Sequence, residues 1–356
     1  MKTKSRRLAN MELLRIVAML MVVMLHYLGK GELLPQMSIH MDATGYVAWI
    51  LESLSIVAVN VYVLISGYFL VESEFKSGKI LKLVLQVLFY TVLITMLAFS
   101  FGLIGKEDLG IYNVIVQLFP FQLEQYWFMT AYLVMYIVSP VLAMGAKALS
   151  QKSLKTVTLI MLAFMCLEKS ILPVQISFDQ NGYDALWFIC LFFVAAYIRL
   201  YGIKLLDKPI NAILLYVVGC VLLMGEDLAI SFVNEKFGEL GHLIGTPYDY
   251  NHIFNLMASV GLFMFFLKVK IKDGIFASLI CKIAPYTLGV YLLHEHIYVR
   301  YLWPEWLGVE RSQNVGVFLL SAWGTVMLVF TVGIVVDYLR SLVFVVGSKL
   351  IHVKKS

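Results

Sequence analysis

The sequence predicts an all-α, polytopic integral membrane bundle of about ten transmembrane helices, with both termini in the cytoplasm. Three observations predict it. Of 356 residues, 61% are hydrophobic and only 14% charged, and mean hydropathy is +0.84; soluble domains run nearer half apolar and a quarter charged. Apolar runs of bilayer-spanning length recur along the chain. Basic residues gather on alternate connections between those runs. The connections are too short to hold a soluble domain, so residues 1–356 read as a single transmembrane domain.

The runs fall at 11–28, 46–70, 80–102, 126–145, 156–171, 184–201, 210–225, 250–267, 286–302 and 314–338. Each approaches the ~20 residues that a helix needs to cross ~30 Å of hydrocarbon. The fifth and seventh are short, and the longest connection is 226–249. Residues 112–122, "YNVIVQLFPFQ", are too short to span and are expected to lie along the outer interface or dip into it. Residues 274–284, "GIFASLICKIA", read as an amphipathic helix on the inner surface. Pro285 then opens the ninth span, where a missing amide proton costs little. The basic start leads into an apolar run that lacks a small-residue cleavage site. Cys166, Cys190, Cys220 and Cys281 are scattered without metal-ligand spacing and read as small apolar packing groups.

Charge sets the orientation. With both ends on one side, that side carries Lys2, Lys4, Arg6, Arg7, Lys76, Lys79, Lys82, Lys147, Lys152, Lys155, Arg199, Lys204, Lys208, Lys268, Lys270, Lys272, Arg340, Lys349, Lys354 and Lys355, which is 20 of the 28 basic residues. The other side carries Lys30, Lys106, Lys169, Lys236, Arg300 and Arg311, with acidic residues such as Glu226, Asp227, Glu235, Glu239 and Asp249. The excess places both termini in the cytoplasm. The cell membrane is the expected location.

Two polar residues stand out in the first span, "MELLRIVAMLMVVMLHY". Arg15 and His26 are eleven residues apart. At ~100° per residue they share one helix face, separated by ~16 Å along the axis. Glu12 adjoins that face and can pair with Arg15. Arginine also snorkels near helix ends, which is the plain alternative for Arg15. A histidine among Met and Val near the far end of a span is costly unless it meets a cavity, where it exchanges protons. Elsewhere, His294, Glu295 and His296 are consecutive and fan around a helix, so they cannot share one face. This is not a zinc arrangement, and no metal is expected. His296 and Arg300, four apart, are placed near the outer surface. His242 and His252 read as surface residues. Glu124 and Asp249 are available to acceptor hydroxyls, with nothing to single them out.

The spacing in "RIVAMLMVVMLH" resembles the R/K-x10-H signature of the membrane-bound acyltransferase family 3. "VYVLISGYFL", "YWFMTAYLVMYIVSP" and "TLGVYLLHEH" are similar to its later segments, so the resemblance covers nearly the whole chain. It implies a ten-span O-acyltransferase acting on cell-envelope carbohydrates. The donor is then acyl-CoA, with acetyl-CoA expected, and there is no permanently bound cofactor. The acceptor is a hydroxyl of an envelope glycan or a lipid-linked sugar. Membrane lipids surround the chain, and no nucleic acid partner is expected. The resemblance carries catalytic roles to Arg15, His26 and His294, with an interfacial or structural role the alternative for His294. A donor that enters from the cytosol needs cations at the inner mouth, where Arg15, Lys79 and Lys82 lie. Ser66 and Gly67 would allow close backbone approach there. The alternative for Lys79 and Lys82 is ordinary positive-inside charge. His26 would deprotonate the acceptor hydroxyl; an acyl-histidine is the other chemical route. Trp127 and Glu295 are the expected substrate-binding residues, with an interfacial belt position the alternative for Trp127. The rival function is a transporter or flippase of a lipid-linked saccharide, but no paired Gly/Pro-interrupted halves are seen. A non-catalytic scaffold leaves His26 unexplained.

Overall fold

The computed structural model describes residues 8–123, 125–171 and 179–353, with side chains as far as 346. Lys2, Lys4, Arg6, Arg7, Glu124, Lys354 and Lys355 lie outside the described residues. The described residues are all helix and loop, without a strand.

The order is α1 (Ala9–Lys30), α2 (Ala43–Ser55), α3 (Ala58–Leu70), α4 (Ser77–Ser100), α5 (Ile111–Leu118), α6 (Trp127–Ala148), α7 (Gln151–Leu162), α8 (Glu168–Ile171) and α9 (Ala185–Tyr201). Then follow α10 (Pro209–Phe237), α11 (Ile253–Lys268), α12 (Ile275–Ile283), α13 (Thr287–His294), α14 (Leu302–Trp306) and α15 (Val315–Val353). Among the described residues eight stretches are long and apolar enough to cross a membrane: 9–30, 43–70, 77–100, 127–148, 209–237, 241–268, 275–294 and 315–346.

Two of the ten expected spans are not among these eight. The run 156–171 is divided among α7, a π turn at Ala163–Leu167 and α8, with Lys152 and Lys155 near one end and Glu168 and Lys169 at the other. The run 184–201 forms α9, which has only 17 residues. The seventh span, expected to be short, is a helix of 29 residues. It continues through Glu226 and Asp227 because Asp227 is buried and accepts a hydrogen bond from the Gly245 amide at 2.7 Å. The long connection expected at 226–249 is therefore shorter. Segment 274–284 is helical, but it runs through a 3-10 turn at Ala284–Tyr286 into α13, and 275–294 forms one candidate span. The helix then ends at His294 instead of reaching 302.

Two interruptions shape the bundle. The second span breaks at Ile56–Val57, between α2 and α3. Just beyond, the buried Asn60 amide donates to the Tyr250 carbonyl at 2.8 Å and accepts from the Trp187 indole at 2.9 Å. One side chain thus joins α3, α9 and the approach to α11. In α6 the helix does not close on Pro140 but passes through it to Ala148. A proline there leaves the carbonyl four residues earlier without its amide donor. The Ser139 hydroxyl takes that place, donating to the Tyr136 carbonyl at 2.7 Å.

The placement of α13 rests on α15. Asp337, fully buried on α15, accepts from Gln86, from Tyr90 at 3.0 Å, and from Arg340 at 2.6 Å. A Cβ on Gly289 would meet the Asp337 Cγ at 2.5 Å, so only glycine lets α13 lie this close. That contact sets the height at which His294 emerges.

Candidate active site

Helix α1 carries the expected pair into the bundle interior. His26 and Arg15 both line a cavity of about 250 Å³. The Tyr62 hydroxyl donates to the Arg15 carbonyl at 2.7 Å and fixes α3 against α1. A second cavity, of about 240 Å³, adjoins the first and shares Arg15, Ser66, Leu83 and Tyr132 with it. Lys79 lines this second cavity only. Arg15 therefore stands where the two spaces meet. Its Nη1 is 2.9 Å from Glu12, so the expected pair forms and the guanidinium still borders both cavities.

His26 is joined to the end of α13. Its Nδ1 lies 2.8 Å from His294 Nε2 and 3.3 Å from the Glu295 carboxylate. His294 Nδ1 is 2.5 Å from the Val290 carbonyl. A carbonyl only accepts, so that nitrogen carries the proton and the neutral ring presents a lone pair at Nε2. His26 Nδ1 then donates to it, and the His26 lone pair falls on Nε2. Glu295 is also 3.8 Å from Lys30 and 3.3 Å from Arg300, so its charge is balanced by two cations. The fan expected of His294 and Glu295 is overturned here. The helix stops at His294, and Glu295, at φ −98° and ψ 8°, leaves the helical path. Both side chains thereby reach one nitrogen.

The far wall of the first cavity is aromatic. Trp127 stacks on Tyr250 with ring centroids 5.7 Å apart, and lies 4.6 Å from Tyr183 and 6.0 Å from Phe128. Its ring faces these partners and the cavity instead of forming part of a lipid-facing belt. Tyr291 lines the same space, 6.5 Å from His26 between ring centroids. Its hydroxyl is enclosed and has no hydrogen-bond partner among the described residues.

The family model described as an acyltransferase domain matches residues 8–338. The chain belongs to the membrane-bound acyltransferase family 3. No curated protein and no solved structure matches it. Membership in this acyltransferase family makes the chain a multi-pass membrane acyltransferase in class, and it gives the cavity between α1, α3, α6 and α13 a chemical context.

Of the site residues read from the sequence of this acyltransferase, Arg15, His26, Ser66 and Trp127 border the first cavity, while His294 and Glu295 stand behind His26. Lys79 joins them through the second cavity, but Lys82 is exposed and borders neither. Gly67 does not face the cavity. A Cβ there would meet the Ala195 Cβ at 2.9 Å and the Phe192 Cα at 3.2 Å, so its small size serves the packing of α3 on α9.

Two surface assignments are also corrected. His252 is buried and 3.3 Å from Glu226. His296 is fully buried between Tyr126 and Tyr298, and burial pushes its imidazole down to about 4. His242 is exposed, as expected. Asp249 is engaged by Lys169 at 3.3 Å. The sequence reading missed Tyr62, Tyr132, Tyr250 and Tyr291 as cavity residues. With 20 tyrosines in the chain, residue type alone could not pick them out.

Proposed function

We propose that this acyltransferase moves an acyl group, acetyl in the first instance, from cytosolic acyl-CoA to a hydroxyl of a cell-envelope glycan or lipid-linked sugar. The observation that carries the reading is the pair of adjoining cavities. They run from Lys79, past Arg15, to His26 and the aromatic wall. Arg15 and Lys79 would hold donor phosphates, with Arg15 making charge-assisted bonds of the kind its planar fork suits. The pantetheine arm would extend toward His26.

His26 Nε2 would take the proton of the acceptor hydroxyl as its oxygen attacks the thioester carbon. The C–S bond then breaks, and the proton passes to the thiolate leaving group. His294 and Glu295 would position the His26 ring and support its charge while it holds the proton. The Tyr291 hydroxyl is suited to donate to the developing oxyanion. Trp127 and Tyr250 offer a flat apolar face of the kind on which sugar rings lie.

The test is incubation of the purified protein with labelled acetyl-CoA and a panel of envelope glycans. Label should appear in an alkali-labile ester on one of them. Absence of any ester across the panel, with donor binding intact, would sink the acetyl-to-glycan assignment.

The charge distribution supports cytoplasmic termini in the cell membrane. In a background lacking the native cysteines, Lys152→Cys should resist an impermeant thiol reagent in intact cells, and Lys236→Cys should react. Labelling of the first and protection of the second would reverse the orientation.

A further inference from the structure

A third cavity lies between α7 and α9, and the proposed chemistry does not use it. Its volume is about 430 Å³. Gln151, Lys155, Leu159 and Leu162 line it from α7, at positions that recur on one helix face. Val194, Tyr197, Ile198 and Tyr201 line it from α9, again on one face. Helix α9 ends at Gly202, whose φ of 70° turns the chain so that Lys204 joins the rim.

The lining is graded. At one end are two lysines, the Gln151 amide and two tyrosines. Gln151 donates to the Tyr197 hydroxyl at 3.5 Å, and the Tyr201 hydroxyl donates to the Leu149 carbonyl at 3.4 Å. At the other end are Leu159, Leu162 and Val194. Among the described residues, no acidic residue lines the cavity. From Gln151 to Leu162 the helix rises ~16 Å, about half the ~30 Å hydrocarbon thickness. The cavity therefore has the length of one leaflet. Its cationic end sits at the depth of the inner headgroups under the orientation proposed above.

We propose that this cavity binds an anionic phospholipid of the inner leaflet, with its phosphodiester between Lys155 and Lys204 and one acyl chain against Leu159, Leu162 and Val194. A phosphate oxygen meets two cations, and the tail meets an apolar groove of matching depth. Basic pockets between spans on the cytoplasmic side suit such headgroups. The occupied site would brace α9, which packs against α3 and α6, the helices that carry Ser66, Trp127 and Tyr132.

The test uses the full chain purified in neutral detergent, with native mass spectrometry and thermal stability as readouts. Phosphatidylglycerol should bind in a saturable manner and raise the unfolding temperature, while phosphatidylcholine with the same acyl chains should do neither. The double variant Lys155→Gln, Lys204→Gln should weaken phosphatidylglycerol binding about 25-fold, the factor that two lysines at ~1 kcal/mol each supply. Lys152→Gln with Lys208→Gln, basic residues outside the cavity, should leave it unchanged. Equal binding of the two lipids, or full retention by the first double variant, would overturn the proposal. So would glycerol 3-phosphate binding as tightly as dihexanoyl phosphatidylglycerol, because the apolar half would then contribute nothing. Since the readouts are binding and stability, they stand apart from whether the acetyl transfer reading survives.

Discussion

His26→Ala is expected to reduce acyl transfer by about 10²–10⁴-fold, the range a positioned general base supplies. The protein should still insert, because removing a polar group from a span favours insertion. The loss belongs in turnover instead of donor affinity, since the proton is taken only as the new bond forms. Donor binding should stay within about twofold, because His26 does not line the second cavity, where the donor phosphates are placed. The check is single-turnover transfer by purified, folded His26→Ala together with its donor affinity. Near wild-type turnover would remove the base assignment, and an acyl-histidine would fall with it.

Arg15→Ala should instead weaken donor binding. A charge-assisted hydrogen bond contributes roughly 1.5–3 kcal/mol, so the loss is about 10–150-fold in affinity. Arg15→Lys should keep part of it as a point charge, and that remnant should be the more sensitive to salt. The Glu12 contact gives a competing account, in which Arg15 only pins α1 to its own first turn. Under that account Glu12→Ala and Arg15→Ala would damage stability alike and leave donor affinity untouched. Acetyl-CoA binding to folded Arg15→Ala decides between them.

The all-helical character, most of the spans and the Arg15–His26 face were legible in the sequence because each depends on local periodicity. What was not legible depends on where helices stop and which faces meet. Glu295 reaches His26 only because α13 ends one residue earlier, and a consecutive H-E-H string does not announce that ending. The sequence offers Gly67 for close backbone approach at the inner mouth, because a small residue looks the same toward a ligand or a neighbouring helix; Ala195 decides it. Trp127 looked equally suited to lipid or sugar until Tyr183 and Tyr250 were seen against it. Of the ten expected spans, 156–171 and 184–201 are not among the eight candidates of the described residues: apolar length is near the limit there and charges lie at the ends.

The aromatic wall has a consequence for the cell's energy supply. Under the orientation proposed above, adjoining cavities that lead from Lys79 to His26 would be a potential short circuit for a transmembrane proton gradient. Each proton that leaks at 100 mV dissipates ~2.3 kcal/mol. At the wall of the first cavity, Trp127 packs against Phe128, Tyr183 and Tyr250 with ring centroids 4.6–6.0 Å apart. Trp127, Tyr183, Tyr250 and Phe128 would then serve as insulation, and an acceptor that slid between them would have to replace the seal it opened.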